Sequence, residues 1–159
     1  MAGLTLPEQI LRRARARGLR LATAESCTAG MIAAALTDPP GASDMFDCGF
    51  VTYSNAAKTR MLGVRPETLA AHGAVSEQVA REMAEGARAA SGVDLAISVT
   101  GIAGPGGSEH KPEGRVCFGL ARDGSTTFAE TVDFGALGRD GVRRATRDHA
   151  LRLILAALD

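Results

Sequence analysis

The chain has no tryptophan, a single tyrosine (Tyr53), three cysteines, three histidines, and only two lysines (Lys58 and Lys111) among its 18 basic residues. Each scarcity excludes something. Cys27, Cys48 and Cys117 are odd in number and far apart, which suits free, mostly buried thiols in a reducing compartment rather than a disulfide framework. His72, His110 and His149 are equally scattered and no C-x-x-C occurs, so no bound metal is expected. No apolar run approaches the roughly 20 residues that span a bilayer. Met1 to Arg13 lacks the charged start and apolar stretch of a secretory signal, so a cytoplasmic location without a membrane partner is expected. Acidic and basic residues balance at 18 each, which argues against a nucleic-acid partner whose phosphates must be neutralised in number.

What is present is ordinary for a globular protein: 159 residues, 45% apolar and 23% charged, predicting one domain over 1–159. Thr5-Leu6-Pro7-Glu8 reads as a capping box that opens a helix ending at Gly18. Strands are predicted at 19–24, 46–53 and 95–100, the last an apolar β-branched run of the kind buried on both faces. Helices are predicted at 31–36, at 55–62 closed by Gly63, after Ser76 up to Gly92, and over 139–158. Segments 115–121 and 126–134, separated by Asp123-Gly124, read as a hairpin. Helices alternating with strands, plus one hairpin, predict an α/β layered domain whose mixed sheet is flanked by helices.

Several residues invite a chemical reading. Ser26 follows a strand and precedes a helix, where a hydroxyl and the first helical N–H groups meet the same space. It is a candidate nucleophile or a simple helix cap, and the flanking Glu25 and Thr28 do not decide between them. Cys27 is a rival nucleophile or a small buried hydrophobe. A serine needs a base, and a buried lysine can give up its proton where arginine cannot. Lys58, five residues after Tyr53, is that candidate, the other reading being a solvated helix lysine beside a core tyrosine. Thr100-Gly101-Ile102-Ala103-Gly104-Pro105-Gly106-Gly107 follows a buried strand and offers backbone to a phosphate or ribose, or is a plain loop. Arginines 12, 13, 15, 17 and 20 read as a solvated helix face. Those at 139, 143, 144 and 147 start a helix, where their charge opposes the helix dipole, which hints that at least one binds an anion.

Together these segments resemble the CinA C-terminal domain, or nicotinamide-nucleotide amidohydrolase, family. The resemblance rests on Ala24-Glu25-Ser26-Cys27-Thr28-Ala29-Gly30, Val51-Thr52-Tyr53-Ser54-Asn55 with Lys58, Gly73-Ala74-Val75-Ser76, Met83 to Ala87, and Val99 to Pro105 followed by Gly106-Gly107, Lys111-Pro112 and Gly114. It implies hydrolysis of the carboxamide of nicotinamide mononucleotide to nicotinate mononucleotide and ammonia, in recycling of pyridine nucleotides, with no cofactor. It further implies Ser26 as nucleophile, Lys58 as base and Tyr53 as a third catalytic group. Thr28, Thr100, Gly101, Gly104 and Arg139 are then expected to bind the nucleotide, and the resemblance implies a homodimer. Two departures stand out: Ala29 replaces the family's first glycine, and Gly138 the acid that usually precedes Arg139. A family member that binds a nucleotide without hydrolysing it, or a Cys27-dependent hydrolase of another amide, are the alternative readings.

Overall fold

A computed structural model describes residues 3–108 and 110–159. Among these residues five strands form one sheet in the order β2-β1-β3-β4-β5: β1 (Leu21–Glu25), β2 (Phe46–Val51), β3 (Leu95–Gly101), β4 (Arg115–Arg122) and β5 (Phe128–Asp133). β1 runs parallel to both β2 and β3, while β3, β4 and β5 are successively antiparallel. The predicted α/β fold with a mixed sheet is therefore observed. Helices α1 (Leu6–Arg17), α2 (Met31–Leu36), α3 (Asn55–Leu62), α4 (Pro66–His72), α5 (Glu77–Ser91) and α6 (Arg139–Ala157) cover it.

Alternation along the central strands sorts side chains by size. Leu21, Leu95, Ile97, Val99, Val116, Phe118 and Leu120 pack with α1, α2 and α6. Ala22, Ala24 and Ala96 face the other way, against Val79, Met83 and Ala87 of α5 and Leu62 of α3. Small residues let α5 lie close on the sheet. Gly119 of β4 sits under it so tightly that a Cβ there would be 2.4 Å from the Ala80 carbonyl. The two helical layers and the sheet give the three-layer arrangement expected when a strand is apolar on both faces.

β1 passes to β2 through α2 on one face, and β2 passes to β3 through α3, α4 and α5 on the other. The strand order thus reverses at β1, and a crevice opens beyond the carboxyl ends of β1, β2 and β3. Ser26, Thr52 and Tyr53, and Thr100 and Gly101 all lie at that edge.

Three details depart from expectation. α4 has no buried residue, so no apolar periodicity announces it; Pro66 at its start and Glu82, which accepts from Arg65 N and Thr68 Oγ1 at 2.8 and 2.6 Å, hold it in place. A 3₁₀ turn occupies Ala42–Asp44. The arginines near α1 are not a merely solvated face. Arg13 and Arg17 donate to the Leu155 and Leu158 carbonyls at 3.2 and 3.0 Å, and Arg122 donates to Ala157 at 3.0 Å, so carbonyls at the carboxyl end of α6 are satisfied from other elements. Arg15 pairs with Asp44, and Arg20 donates to the Ser43 carbonyl.

Helix α3 is seated by one close approach: a Cβ at Gly86 of α5 would lie 1.9 Å from the Leu62 carbonyl oxygen. Backbone cannot rotate out of the way, so Gly86→Ala must push α3 outward. Despite the gain of about 1 kcal/mol in helix propensity, this variant is expected to lose about 1–3 kcal/mol of stability in urea unfolding; an unchanged midpoint would show that α3 is free to shift.

Candidate active site

Lys58 is a large side chain and fully buried, 1% exposed. It sits in the first turns of α3, which Ser54 caps by accepting from Ala57 N at 3.0 Å. Its Nζ has three partners: the Thr52 carbonyl at 2.9 Å, Ser26 Oγ at 3.0 Å and the Tyr53 carbonyl at 3.3 Å. No carboxylate forms an ion pair with it among the described residues, and burial pushes its pKa below the ordinary lysine value. The partners favour the same outcome. A neutral amine keeps two N–H groups and one lone pair; the two carbonyls can only accept, so the lone pair falls to the one neighbour able to donate, the Ser26 hydroxyl. Serine and lysine are thus brought together as the sequence suggested, and Lys58 is not a solvated helix residue.

The loop that carries Ser26 is braced from both sides. β1 alternation sends Glu25 toward α2 and Ser26 toward α3. The Glu25 carboxylate, 1% exposed, accepts from Thr28 Oγ1 at 2.6 Å and from the Ile32 and Ala33 amides at 2.9 and 3.0 Å. The first helical N–H groups expected to face a substrate are therefore already taken by Glu25. Gly30, the N-cap of α2, has no side chain to supply; a helix start without a capping side chain, preceded by a buried acid, is the sequence signal that points to this role. Within the loop, Ser26 N donates to Val99 O, Ala29 N to Ser26 O and Met31 N to Thr28 O. Among the described residues the Thr28 amide has no backbone acceptor, and the Cys27 amide meets its own thiol.

Thr28 is expected at the ligand, but the structure puts it elsewhere: it is fully buried and its hydroxyl is spent on Glu25. Cys27 is also buried, and loss of solvent pushes its thiol up to about 11, so the lowered pKa of a reactive thiol is not found.

A cleft of about 310 Å³ opens over Ser26, lined by Cys27, Tyr53, Asn55, Lys58, Ala74, Val75, Thr100 and the 101–108 loop, with Arg139 at its side. Thr100 Oγ1 donates to Ala74 O at 2.8 Å, holding the 73–76 turn against the strand end. Tyr53 meets Lys58 through its carbonyl, not its phenol; the ring is 60% exposed and its hydroxyl accepts from Arg139 Nη2 at 3.0 Å. Arg139 Nη1 donates to Gly104 O at 2.7 Å, so one guanidinium joins the tyrosine to the glycine loop. Asn55 is a cleft residue that the sequence did not single out.

Gly101 and Gly104 line the cleft, yet the missing side chains face inward. A Cβ at Gly101 would be 2.6 Å from Val116, and one at Gly104 would be 2.4 Å from Glu113. Loop packing, rather than approach of a ligand, requires glycine at both. Glu113 accepts from Gly106 N and Gly138 N at 2.7 and 3.2 Å, tying the loop to the start of α6. Lys111, the second lysine, donates to the His72 and Val75 carbonyls at 2.7 and 2.6 Å and closes the same loop from the far side. No group of three or more His, Cys, Asp or Glu side chains gathers as a metal site among the described residues, and no helix among them is long and apolar enough to cross a membrane.

Comparison with known proteins follows the geometry. The CinA C-terminal domain family matches residues 4–158. A protein named nicotinamide-nucleotide amidohydrolase PncC from Escherichia coli (strain K12) is 49% identical over 152 residues, covering 95% of this chain and 92% of that protein. A putative competence-damage inducible protein from Symbiobacterium thermophilum is 52% identical over 159 residues, which is 94% of this chain and 37% of the relative. The chain thus spans about a third of the length of several curated relatives it matches. Among solved structures, a competence or damage-inducible protein from Enterobacter asburiae superposes with a TM-score of 0.93 at 38% identity, covering 97% of this chain and 96% of that one.

Ala29, where glycine is usual in the resembling motif, has φ +47° and is exposed. Left-handed backbone strains an alanine by about 1–2 kcal/mol, partly offset by the entropy that glycine loses on folding. Ala29→Gly is expected to raise stability by about 0.5–1 kcal/mol in urea unfolding; a lowered midpoint would show that this turn relaxes when its Cβ is removed.

Proposed function

The chain belongs to the CinA C-terminal domain family, and from that premise we propose that its cleft hydrolyses the carboxamide of nicotinamide mononucleotide, releasing ammonia and nicotinate mononucleotide. The observation that carries this reading is the 3.0 Å bond between a fully buried lysine amine and the serine hydroxyl. The name of the Escherichia coli relative, at 49% identity, supports the choice of amide.

In the proposed reaction Ser26 Oγ attacks the carboxamide carbon while its proton passes to the lone pair of Lys58. Cys27 lines the cleft next to the serine, and its backbone N–H is the oxyanion donor in this reading. Collapse breaks the carbon–nitrogen bond, and the Lys58 ammonium returns its proton to the leaving amine, which departs as ammonia. Water then attacks the nicotinoyl ester with Lys58 again as base, and Ser26 regains its proton. Thr52 and Tyr53 carbonyls accept from Lys58 throughout, so the amine changes charge without changing place. The Tyr53 phenol, engaged by Arg139, serves the mouth of the cleft rather than a proton relay. Arg139 forms no ion pair among the described residues and has N–H groups to spare for a phosphate. The setting in this reading is a cytoplasmic homodimer in pyridine nucleotide recycling, requiring no metal or organic cofactor.

The test is ammonia and nicotinate mononucleotide formation in the presence of a chelator. Ser26→Ala is expected to lose turnover, and Lys58→Arg to lose about 10²–10⁴-fold, because arginine keeps the charge but cannot accept a proton. Turnover retained in Ser26→Ala would move the chemistry off the serine. A folded wild-type chain that releases no ammonia would leave a nucleotide-binding domain without hydrolysis.

The pH profile supplies a second test. Below its pKa Lys58 holds a proton and cannot act as base; above it the amine is free. Because burial lowers that pKa, kcat/KM is expected to rise with pH along a limb centred below the ordinary lysine value of about 10.4. A rate that is flat from pH 5 to 10 would remove Lys58 as the base.

A further inference from the structure

Four of the first nine residues of α6 are arginine, and each is committed differently. Arg144 pairs with Asp140 and Arg147 with Asp148, while Arg143 donates to the Cys27 and Thr28 carbonyls of the serine loop at 3.0 and 3.4 Å. Of the four, Arg139 is the one that lines the cleft. Its guanidinium donates to the Gly104 carbonyl at 2.7 Å and to the Tyr53 hydroxyl at 3.0 Å, and it forms no ion pair among the described residues.

Glu113 holds both ends of the Arg139–Gly104 contact. Its Oε1 accepts from Gly106 N at 2.7 Å, two residues past the carbonyl that Arg139 binds. Its Oε2 accepts from Gly138 N at 3.2 Å, one residue before Arg139. The same Oε1 would lie 2.4 Å from a Cβ at Gly104, so the carboxylate rests directly against the turn it binds. The backbone beside Glu113 is itself anchored: Gly114 N donates to Ile102 O at 2.8 Å, and Gly114 O accepts from Phe134 N at 2.9 Å. α6 has no capping side chain of its own, its N-cap being Gly138, and a carboxylate on the N-cap amide supplies what glycine cannot. Both oxygens are thus engaged by backbone amides, which leaves the charge of Arg139 unopposed by a contacting acid. The Gly106 amide, one of the loop donors expected to suit a phosphate, is already occupied, so a phosphate in this cleft meets the guanidinium instead.

We propose that Glu113 is a positioning residue that ties the Gly104–Gly106 turn and the start of α6 to one anchor, so that Arg139 meets the substrate phosphate in a preset orientation. The inference rests on the reading of nicotinamide mononucleotide as substrate with its phosphate at Arg139. Glu113 itself does not line the cleft, whereas Gly104, Gly106 and Arg139, through which it acts, all do. As an anion it opposes a phosphate through space. The sign of its removal therefore separates two effects, because lost orientation weakens binding and lost repulsion strengthens it.

Steady-state kinetics of the full chain on nicotinamide mononucleotide and on nicotinamide riboside, which lacks the phosphate, test this. Glu113→Ala is expected to raise KM for the mononucleotide about tenfold, and Glu113→Gln, which keeps one acceptor, about threefold, with kcat within about twofold. On the riboside, kcat/KM is expected to stay within about twofold of wild type in both variants. In a chain already carrying Arg139→Met, adding Glu113→Ala is expected to change the mononucleotide KM by less than about twofold, since the two residues act as one unit. An unchanged or lowered KM in Glu113→Ala overturns the proposal. So does an equal loss on both substrates, or a full loss that persists beside Arg139→Met, either of which would make Glu113 a brace of the fold alone. If Glu113→Ala does not fold, Glu113→Gln decides, and if the riboside is too poor a substrate to measure, the Arg139→Met comparison decides. Calorimetric binding of nicotinate mononucleotide to the same variants reads the effect without turnover. A wild-type chain that binds this nucleotide yet releases no ammonia refutes the proposed reaction while the affinities still test Glu113; one that does neither overturns both.

Discussion

Everything at the site depends on an amine held out of water. Desolvation favours the uncharged form of Lys58, and its neighbours are two carbonyls and a hydroxyl rather than a carboxylate. An acid in contact would restore the charge and end its use as a base. The one buried acid nearby in sequence, Glu25, is instead turned by strand alternation onto the opposite face of the sheet, where the α2 amides and Thr28 neutralise it locally. A shift of one residue in the register of β1 would exchange the two, setting a carboxylate where the serine now stands.

Holding an amine in this way makes demands on distant packing. Lys58 belongs to α3, whose position is set by contact with α5, and α5 in turn lies close to the sheet because Ala22, Ala24, Ala96 and Gly119 present almost no side chain beneath it. The large side chains are reserved for the other face, where α1, α2 and α6 need volume to fill. Division of the sheet into a bulky face and a flat one thus controls how deep the lysine sits. The same economy appears in the arginines: several are spent on carbonyls at helix ends and turns, as at Leu155, Ala157 and Leu158, where the fork of donors reaches groups that an ammonium would satisfy singly.

The cleft is likewise built by ties between loops. Glu113 joins the glycine loop to α6, Lys111 joins it to the 72–75 turn, and Arg139 joins it to Tyr53. None of these contacts involves residues adjacent in sequence, and all three stand on the surface of a rigid sheet edge. Motion of the loop is therefore coupled to the phenol and to the start of α6, which frames the mouth without blocking the floor where Ser26 and Lys58 meet.

Local chemistry made much of the fold legible in advance. Capping by Thr5 and Ser76, stops at Gly18, Gly63 and Gly92, the apolar run of β3 and the hairpin turn at Asp123-Gly124 are short-range effects, and they place the elements and the mixed sheet. α4 escaped because none of its residues is fully buried, Leu69 packing only partly against the core. Scarcity of lysine and the position of Ser26 at a strand end singled out two residues 32 apart in sequence, and a serine's need for a base paired them, as the family resemblance also implied. What the sequence determined by itself, then, was the elements, their order and the candidate groups. Only the tertiary structure decided that Thr28 serves Glu25, that Tyr53 offers its carbonyl to Lys58 and its phenol to Arg139, that the loop glycines answer to Val116 and Glu113, and that Arg143 grips the serine loop. The reason is physical: a hydrogen bond is assigned by which groups are left unpaired once the layers close, and that is a property of the whole packing, not of neighbours along the chain.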